Sequence, residues 1–145
     1  MENPSKVFAG ARRAAGALDR ESQLPEEWRL ARRTRANLLL THAGGVIQSV
    51  LELLQPDLGE PIATWCPGER LVLPPATRAG TMILQDVGAL ANEDQRRLLE
   101  WLERASGRTQ VVSTTAAPLL PRVEAGAFID TLYYRLNTVC LDVTT

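Results

Sequence analysis

Lysine is almost missing from this chain. Of 16 basic residues only Lys6 is a lysine, and the other 15 are arginines. Chemistry that needs a compact ammonium at one defined place beyond the first few residues is therefore excluded, which removes Schiff-base lysines and the phosphate-gripping lysine of a nucleotide-binding loop. Histidine occurs once, as His42, and cysteine twice, as Cys66 and Cys140, with no Cys-x-x-Cys spacing. Neither a metal site nor a disulfide framework fits that pattern. Both cysteines read as small apolar fillers in or beside strands. Aromatic residues make up 5%, and Trp28, Trp65 and Trp101 are dispersed, so they read as packing residues and not as a base-stacking platform. No apolar run approaches the roughly 18 residues of a membrane span, and Met1-Glu-Asn-Pro does not open a signal peptide. The expectation is a cytoplasmic protein without a membrane partner.

What is present is ordinary globular composition: 145 residues, 45% hydrophobic and 23% charged. A chain of this length hides roughly 68–70% of its unfolded surface without staples. One domain over residues 1–145 is expected, a helical amino-terminal segment 1–36 leading into a sheet core 37–145. The net charge of -1 argues against a nucleic-acid partner held by bulk electrostatics. Charge is nevertheless uneven. Residues 1–36 hold Lys6 and seven arginines against five acids, giving +3, and the remainder carries -4.

Along the chain, Pro4 and Ser5 precede an Ala-rich run to Leu18, and a second helix start falls at Leu24-Pro25-Glu26-Glu27. Acids in its first turn and Arg32, Arg33 and Arg35 near its end suit the helix dipole. Asn37 to Thr41 is a short apolar strand, followed by a glycine turn and a helical apolar pattern from Val46 to Leu54. Ile62 to Trp65 predicts a second strand. Cys66 to Gly80 predicts a loop with a short extended piece, Arg70 to Leu73. Thr81 to Val87 predicts a third strand. Asn92 offers a helix cap with Gln95 three residues on, and the helix ends near Gly107. Gln110 to Thr114, a helix from Phe128 to Leu136, and Thr138 to Val143 complete the pattern. Apolar strands alternating with helices predict an α/β fold, a mostly parallel five-stranded sheet with helices on both faces.

Ligands of such sheets bind beyond the carboxyl ends of the strands, and the positions to inspect are the turn after the first strand, Gln85-Asp86, Thr114-Thr115, and Arg135 ahead of the last strand. The turn reads Thr41, His42, Ala43, Gly44, Gly45, Val46, Ile47, Gln48. A phosphate loop needs G-x-x-x-x-G-K-[ST]; here Thr41 takes the first glycine slot, Val46 the second and Ile47 the lysine slot. The turn can still form a weak anion nest from backbone N–H groups. At the third strand a magnesium-holding acid and a water-orienting acid are needed, and the residues are Gln85 and Asp86. Asp86 reads equally well as a cap for the turn Val87-Gly88. His42 has no acid or thiol beside it in sequence, and nothing near Cys66 lowers its pKa.

Four strings carry a resemblance. Gly80-Thr-Met-Ile-Leu-Gln-Asp-Val-Gly-Ala-Leu is similar to GTLFLDEIGDL, and Gln95-Arg-Arg-Leu-Leu-Glu-Trp-Leu-Glu to QAKLLRVLQE. Val111-Val-Ser-Thr-Thr-Ala-Ala-Pro-Leu is similar to IIAATNRDL, and Glu124-Ala-Gly-Ala-Phe-Ile-Asp-Thr-Leu-Tyr-Tyr-Arg-Leu-Asn to EGRFREDLYYRLN. The chain thus resembles the ATPase domain of bacterial sigma-54-dependent activators, a branch of the AAA+ proteins. The likeness is specific beyond Gly80, weaker from Leu38 to Gln55 and loose before that.

The resemblance implies a three-layer αβα P-loop NTPase core, here without the family's helical lid, since the chain stops at Thr145. It implies ATP and magnesium as the family's cofactors and transcription regulation as its task. This sequence departs from the family at Ile47 (lysine), Gln85 (magnesium acid), Asp86 (catalytic glutamate) and Ala116, beside Thr115, in the sensor position. Ile129 replaces one intersubunit arginine, while Arg135 keeps the other. The stretch from Ile62 to Gly80 is too short for the loop that contacts sigma-54. The expectation is an ATPase-deficient domain with no catalytic residue, no metal and no tightly held cofactor. Its partners would be proteins, itself or a full-length activator. The alternative is a weak ATP-binding regulatory domain using the glycine turn. A phosphoacceptor receiver is disfavoured, since no acid follows Leu40 and no lysine follows Lys6.

Overall fold

The computed structural model describes residues 26–42, 47–105 and 107–143. In chain order these form α1 (Glu26–Thr34), β1 (Leu38–His42), α2 (Ile47–Leu54), β2 (Ile62–Trp65), β3 (Gly80–Leu84), α3 (Asn92–Ala105), β4 (Thr109–Thr115), α4 (Leu120–Glu124), α5 (Asp130–Leu136) and β5 (Val139–Val143), with single 3-10 turns at Gln55–Asp57 and Val87–Ala89. The helix expected before Leu18 and the residues Ala43 to Val46 lie outside the described residues.

All four strand pairings are parallel, and the sheet order is β2-β3-β4-β1-β5. Successive residues of a strand point to opposite faces, and β1 shows what this demands of a central strand. Leu38 and Leu40 pack with Trp28 and Ala31 of α1 and with Val50, Leu51 and Leu54 of α2. Leu39 faces the other way, into a cluster with Leu98, Trp101 and Leu102 of α3 and Leu132 and Leu136 of α5. The sheet is thus the middle of three layers, as the apolar runs predicted. Trp28, Trp65 and Trp101 are all buried core residues.

The amino ends of the strands are tied by buried amides. Gln110, 1% exposed, donates to the carbonyls of Ala31 and Ala36 at 3.1 and 2.8 Å, fixing the end of α1 to β4. Asn37 accepts from Val111 N–H at 2.9 Å and donates to the Arg135 carbonyl at 3.0 Å. Arg35, just past α1, adopts a left-handed φ of 62° and donates to the Gly80 carbonyl at 2.9 Å.

Several local expectations change. The Asn92 and Gln95 capping box does not form. Gln95 is buried, donates to the carbonyls of Leu90 and Ala127 and accepts from Ile129 N–H, so it staples the start of α3 to the entry of α5. That staple holds Ile129 extended, with ψ 126°, and delays the helix expected from Phe128 until Asp130. The third strand stops at Leu84, short of Val87, because Asp86 turns left-handed at φ 50° and a 3-10 turn follows. Arg70 to Leu73 pairs with no strand. Helix α4 was not legible, since Pro121 reads as a breaker, yet it sits in the first turn where a missing N–H costs nothing. The cysteines lie beside and in strands as expected, Cys66 just after β2 and half-buried, Cys140 within β5, but Cys140 is exposed and fills no core. Desolvation against the sheet, then the charge of Asp142, push the Cys140 thiol pKa up, while a hydrogen bond with Thr41 works the other way.

Gly80 shows how tightly β2 and β3 are joined. Its φ is +152°, and a Cβ there would lie 2.5 Å from the Pro61 carbonyl oxygen, whereas one at Gly126, φ +80°, would meet nothing within 4 Å. Gly80→Ala is expected to lose at least about 2 kcal/mol from strain and overpacking together. Gly126→Ala should lose only about 1–2 kcal/mol from conformation alone. Urea midpoints of the two variants, compared at equal slope, check the ranking; equal midpoints would show that the Gly80 contact relaxes freely.

Candidate functional site

Because β4 lies between β3 and β1, the carboxyl ends of these three parallel strands lie side by side, at the crevice position of an open sheet. That is where open parallel sheets place ligands. The structure brings together there Thr41 and His42 at the end of β1, Gln48 in the first turn of α2, Gln85 and Asp86 after β3, and Thr114 and Thr115 at the end of β4. Of the expected phosphate-loop residues, Ala43, Gly44, Gly45 and Val46 lie outside the described residues.

The two residues that open α2 point differently. Ile47 is half-buried and packs against the core that α1 and α2 share with the sheet. Gln48 is exposed, and its Nε2 donates to Oε1 of Gln85 at 3.2 Å. The side chain that spans from α2 to the end of β3 is therefore Gln48, one position beyond the Ile47 slot read from the sequence. Both members of this pair are neutral amides, so the bond carries no net charge.

Gln85 is further fixed by its own backbone N–H, which donates to the Trp65 carbonyl at 2.9 Å. Asp86 is exposed, and its left-handed backbone makes no side-chain cap to the turn that follows, so the capping role allowed for it is not the one adopted. Its N–H donates instead to Oγ1 of buried Thr114 at 2.9 Å. Thr114 thus positions the residue that a hydrolase would use to orient water. Neighbouring Thr115 is also buried, and its hydroxyl turns to the Ala117 carbonyl. Ala116 is exposed and offers the crevice no polar group. His42 is half-buried beside Val143, and its Nδ1 is buried with no hydrogen-bond partner among the described residues.

Arg135 does not join this crevice. It sits at the end of α5, before β5, and shares a cavity with Asn37, Thr109 and Thr138, which mark the amino ends of the strands. Its guanidinium lies 3.9 Å from Glu103, and both side chains are about half exposed. Grouping Arg135 with the carboxyl ends is therefore corrected: it faces the opposite rim. Among the described residues no group of three or more His, Cys, Asp and Glu side chains is placed to hold a metal ion, and no helix is long and apolar enough to cross a membrane.

The sequence profile of the Sigma-54 interaction domain matches residues 67–145, more than half of the chain. This chain belongs to the Sigma-54 interaction domain family. Solved structures agree on the fold. NtrX from Brucella abortus in complex with ADP superposes with a TM-score of 0.62 at 19% identity, over 97% of this chain and 39% of that one. NtrX in complex with ATP gives 0.65 at 18% identity, over 88% of this chain and 36% of that one. The P-loop NTPase domain of the sigma-54 transport activator from E. coli gives 0.53 at 15% identity, over 74% of this chain and 95% of that one. The chain thus spans about two fifths of the NtrX chains it matches. No curated protein matches. The fold is the α/β three-layer architecture of P-loop NTPases.

The crevice geometry makes Thr114 the residue to test. Thr114→Val keeps the shape but removes the acceptor for Asp86 N–H, and a donor left without its partner costs about 1–3 kcal/mol. Thermal and urea unfolding of this Sigma-54 interaction domain should register that loss, and Thr114→Ser should recover most of it. Wild-type stability in the valine variant would mean that solvent replaces the hydroxyl.

Proposed function

We propose that this Sigma-54 interaction domain acts in bacterial transcription regulation through protein contacts, as a cytoplasmic member of the AAA+ family with degenerate Walker motifs and without ATP hydrolysis. The observation that carries the reading is the Gln48–Gln85 amide pair at 3.2 Å. In a P-loop NTPase a lysine cradles the β- and γ-phosphates and an aspartate holds the magnesium ion. Two neutral amides do neither. Magnesium is a hard cation that is held through carboxylates and substrate phosphates, and the oxygen Gln85 offers is uncharged and already engaged by Gln48.

The rest of the crevice points the same way. Asp86 is a methylene shorter than the glutamate it replaces and is held in a left-handed turn. Ala116 brings no polar atom. Magnesium and ATP do not fit this donor set, and no catalytic step is derived through them. An arginine finger alone is worth roughly 10³–10⁵ in hydrolysis rate, and residues that act as a unit leave a near-background remnant when several are missing. The contact surface that fits the reading is the rim carrying Tyr133, Tyr134 and Arg135. Tyr134 is 65% exposed and stands edge-on to Tyr133, ring centroids 5.2 Å apart. A second copy or a full-length activator would meet it there.

Two measurements test the reading on the whole chain. Titration with a fluorescent ATP analogue, with and without magnesium, is expected to show no saturable binding in the micromolar range, and phosphate release is expected to stay at the blank rate. Saturable micromolar binding with magnesium-dependent turnover overturns the proposal. Nucleotide that binds the native state without turnover raises its stability by RT ln(1 + [L]/Kd). A rise in melting temperature at millimolar ATP would therefore favour a weak nucleotide-binding regulatory domain, and a flat response the contact module.

A further inference from the structure

We infer that the open groove between the segment Arg70 to Ala76 and helix α3 is a docking site for an extended acidic peptide segment of a partner protein. The inference rests on the reading of this domain as a contact module and names the chemistry of one contact. The groove encloses about 840 Å³. One wall is the stretch that sequence patterning marks as extended but that pairs with no strand, and the other is the face of α3 bearing Arg97, Glu100, Trp101 and Arg104.

Two struts hold the walls at a fixed separation. Arg97 donates to Asp94 at 3.1 Å on its own helix and to the Leu71 carbonyl at 3.2 Å across the groove. Trp101 Nε1 donates to the Pro74 carbonyl at 2.6 Å. A site held open in this way loses little freedom when it is filled.

The groove carries three arginines against one acid, Glu100, in a chain whose net charge is -1. Arg97 is committed to its struts. Arg70 and Arg104 are exposed and, among the described residues, form no ion pair. With Arg97 paired to Asp94, Arg70 and Arg104 still outnumber Glu100 in the groove, and carboxylates complement that excess. Along the groove floor this first wall is apolar from Leu71 to Ala76, and Val72 is 68% exposed. The backbone of Val72 and Leu73 makes no hydrogen bond among the described residues, and a free backbone is a surface along which an extended chain can pair. A nucleic acid would use the arginines but not the apolar floor or the free backbone, so a peptide fits better.

Fluorescence anisotropy of a labelled Glu-Leu-Glu-Leu-Glu-Leu-Glu peptide against the full chain tests this in low salt. Saturable binding is expected, with affinity about tenfold weaker for the peptide in which every Glu is Gln and for the Arg70→Glu, Arg104→Glu double variant. A milder Arg70→Ser, Arg104→Ser variant, with melting curves for both, separates lost binding from lost fold. No binding, or equal binding by wild type and both variants, overturns the groove. So does tighter binding of a labelled single-stranded DNA 12-mer that the same variants abolish. Phosphate release run on the same preparations keeps the two failures apart: a silent groove with no ATP turnover rejects the groove alone, whereas turnover rejects the contact-module reading beneath it.

Discussion

The structure depends on burying the β1–β4 pair on both faces at once. Leu38, Leu39 and Leu40 are each at most 2% exposed, yet they belong to two separate clusters, one under α1 and α2 and the other under α3 and α5. A strand in that position has no solvent face on which a polar side chain can rest, so its register admits no slip by one residue. The same demand falls on Met82, Ile83 and Leu84 of β3 and on Val111 and Val112 of β4. Once these strands are fixed, the residues just beyond their carboxyl ends are carried to the crevice whatever their own chemistry. That is why Gln48, Gln85, Asp86 and Thr114 sit together, although no two of the segments that supply them are adjacent in sequence.

Scaffold and chemistry are consequently under different constraints. Removing a leucine from β1 leaves a cavity costing about 2–5 kcal/mol, a large share of the roughly 5–15 kcal/mol that holds a domain of this kind together. Gln48 and Gln85, at the mouth of the crevice, belong to neither packed cluster. Gln48 and Gln85 satisfy each other at 3.2 Å and leave no buried charge unpaired. The neutral pair is therefore a structurally quiet solution, compatible with an intact sheet.

Much of the fold was legible because the period-two and period-3.6 patterns come from the same burial that stabilises it. Ile62–Trp65 and Asn92–Ala105 lie where the sequence places them, since each run is bounded by residues with a strong local preference. Long-range polar contacts left no periodic trace. Gln95 looks like a cap three residues after Asn92 and is instead a buried staple to Ala127 and Ile129, 32 and 34 positions away. The left-handed turn at Asp86 was hidden by the apolar Val87 after it, and Arg35 takes a left-handed conformation without being glycine. In the crevice the structure brings Gln48, Gln85, Asp86 and Thr114 together, and the sequence did not show which way they point. A helix of 3.6 residues per turn places neighbours about 100° apart, so choosing Ile47 or Gln48 as the one that reaches β3 needed the structure. Arg135 was misplaced for a related reason, because a residue just before a strand belongs to its amino end.

Two rims of one sheet are thus left with different chemistry. The carboxyl rim holds neutral amides, a half-buried histidine, buried threonines and one exposed acid, Asp86. Several arginines stand elsewhere, with Arg35 and Arg135 at the amino rim, Arg97 and Arg104 on α3 and Arg70 across the groove from them. Guanidinium groups are planar forks suited to carboxylates, and at solvent-accessible places they keep their hydration until a partner replaces it. A charge buried in the crevice would need a permanent counter-charge, whereas an exposed arginine does not. The distribution follows from that asymmetry: between α2 and the end of β3 the crevice is spanned by the neutral Gln48–Gln85 pair, whereas Arg70 and Arg104 stand exposed and available for contact.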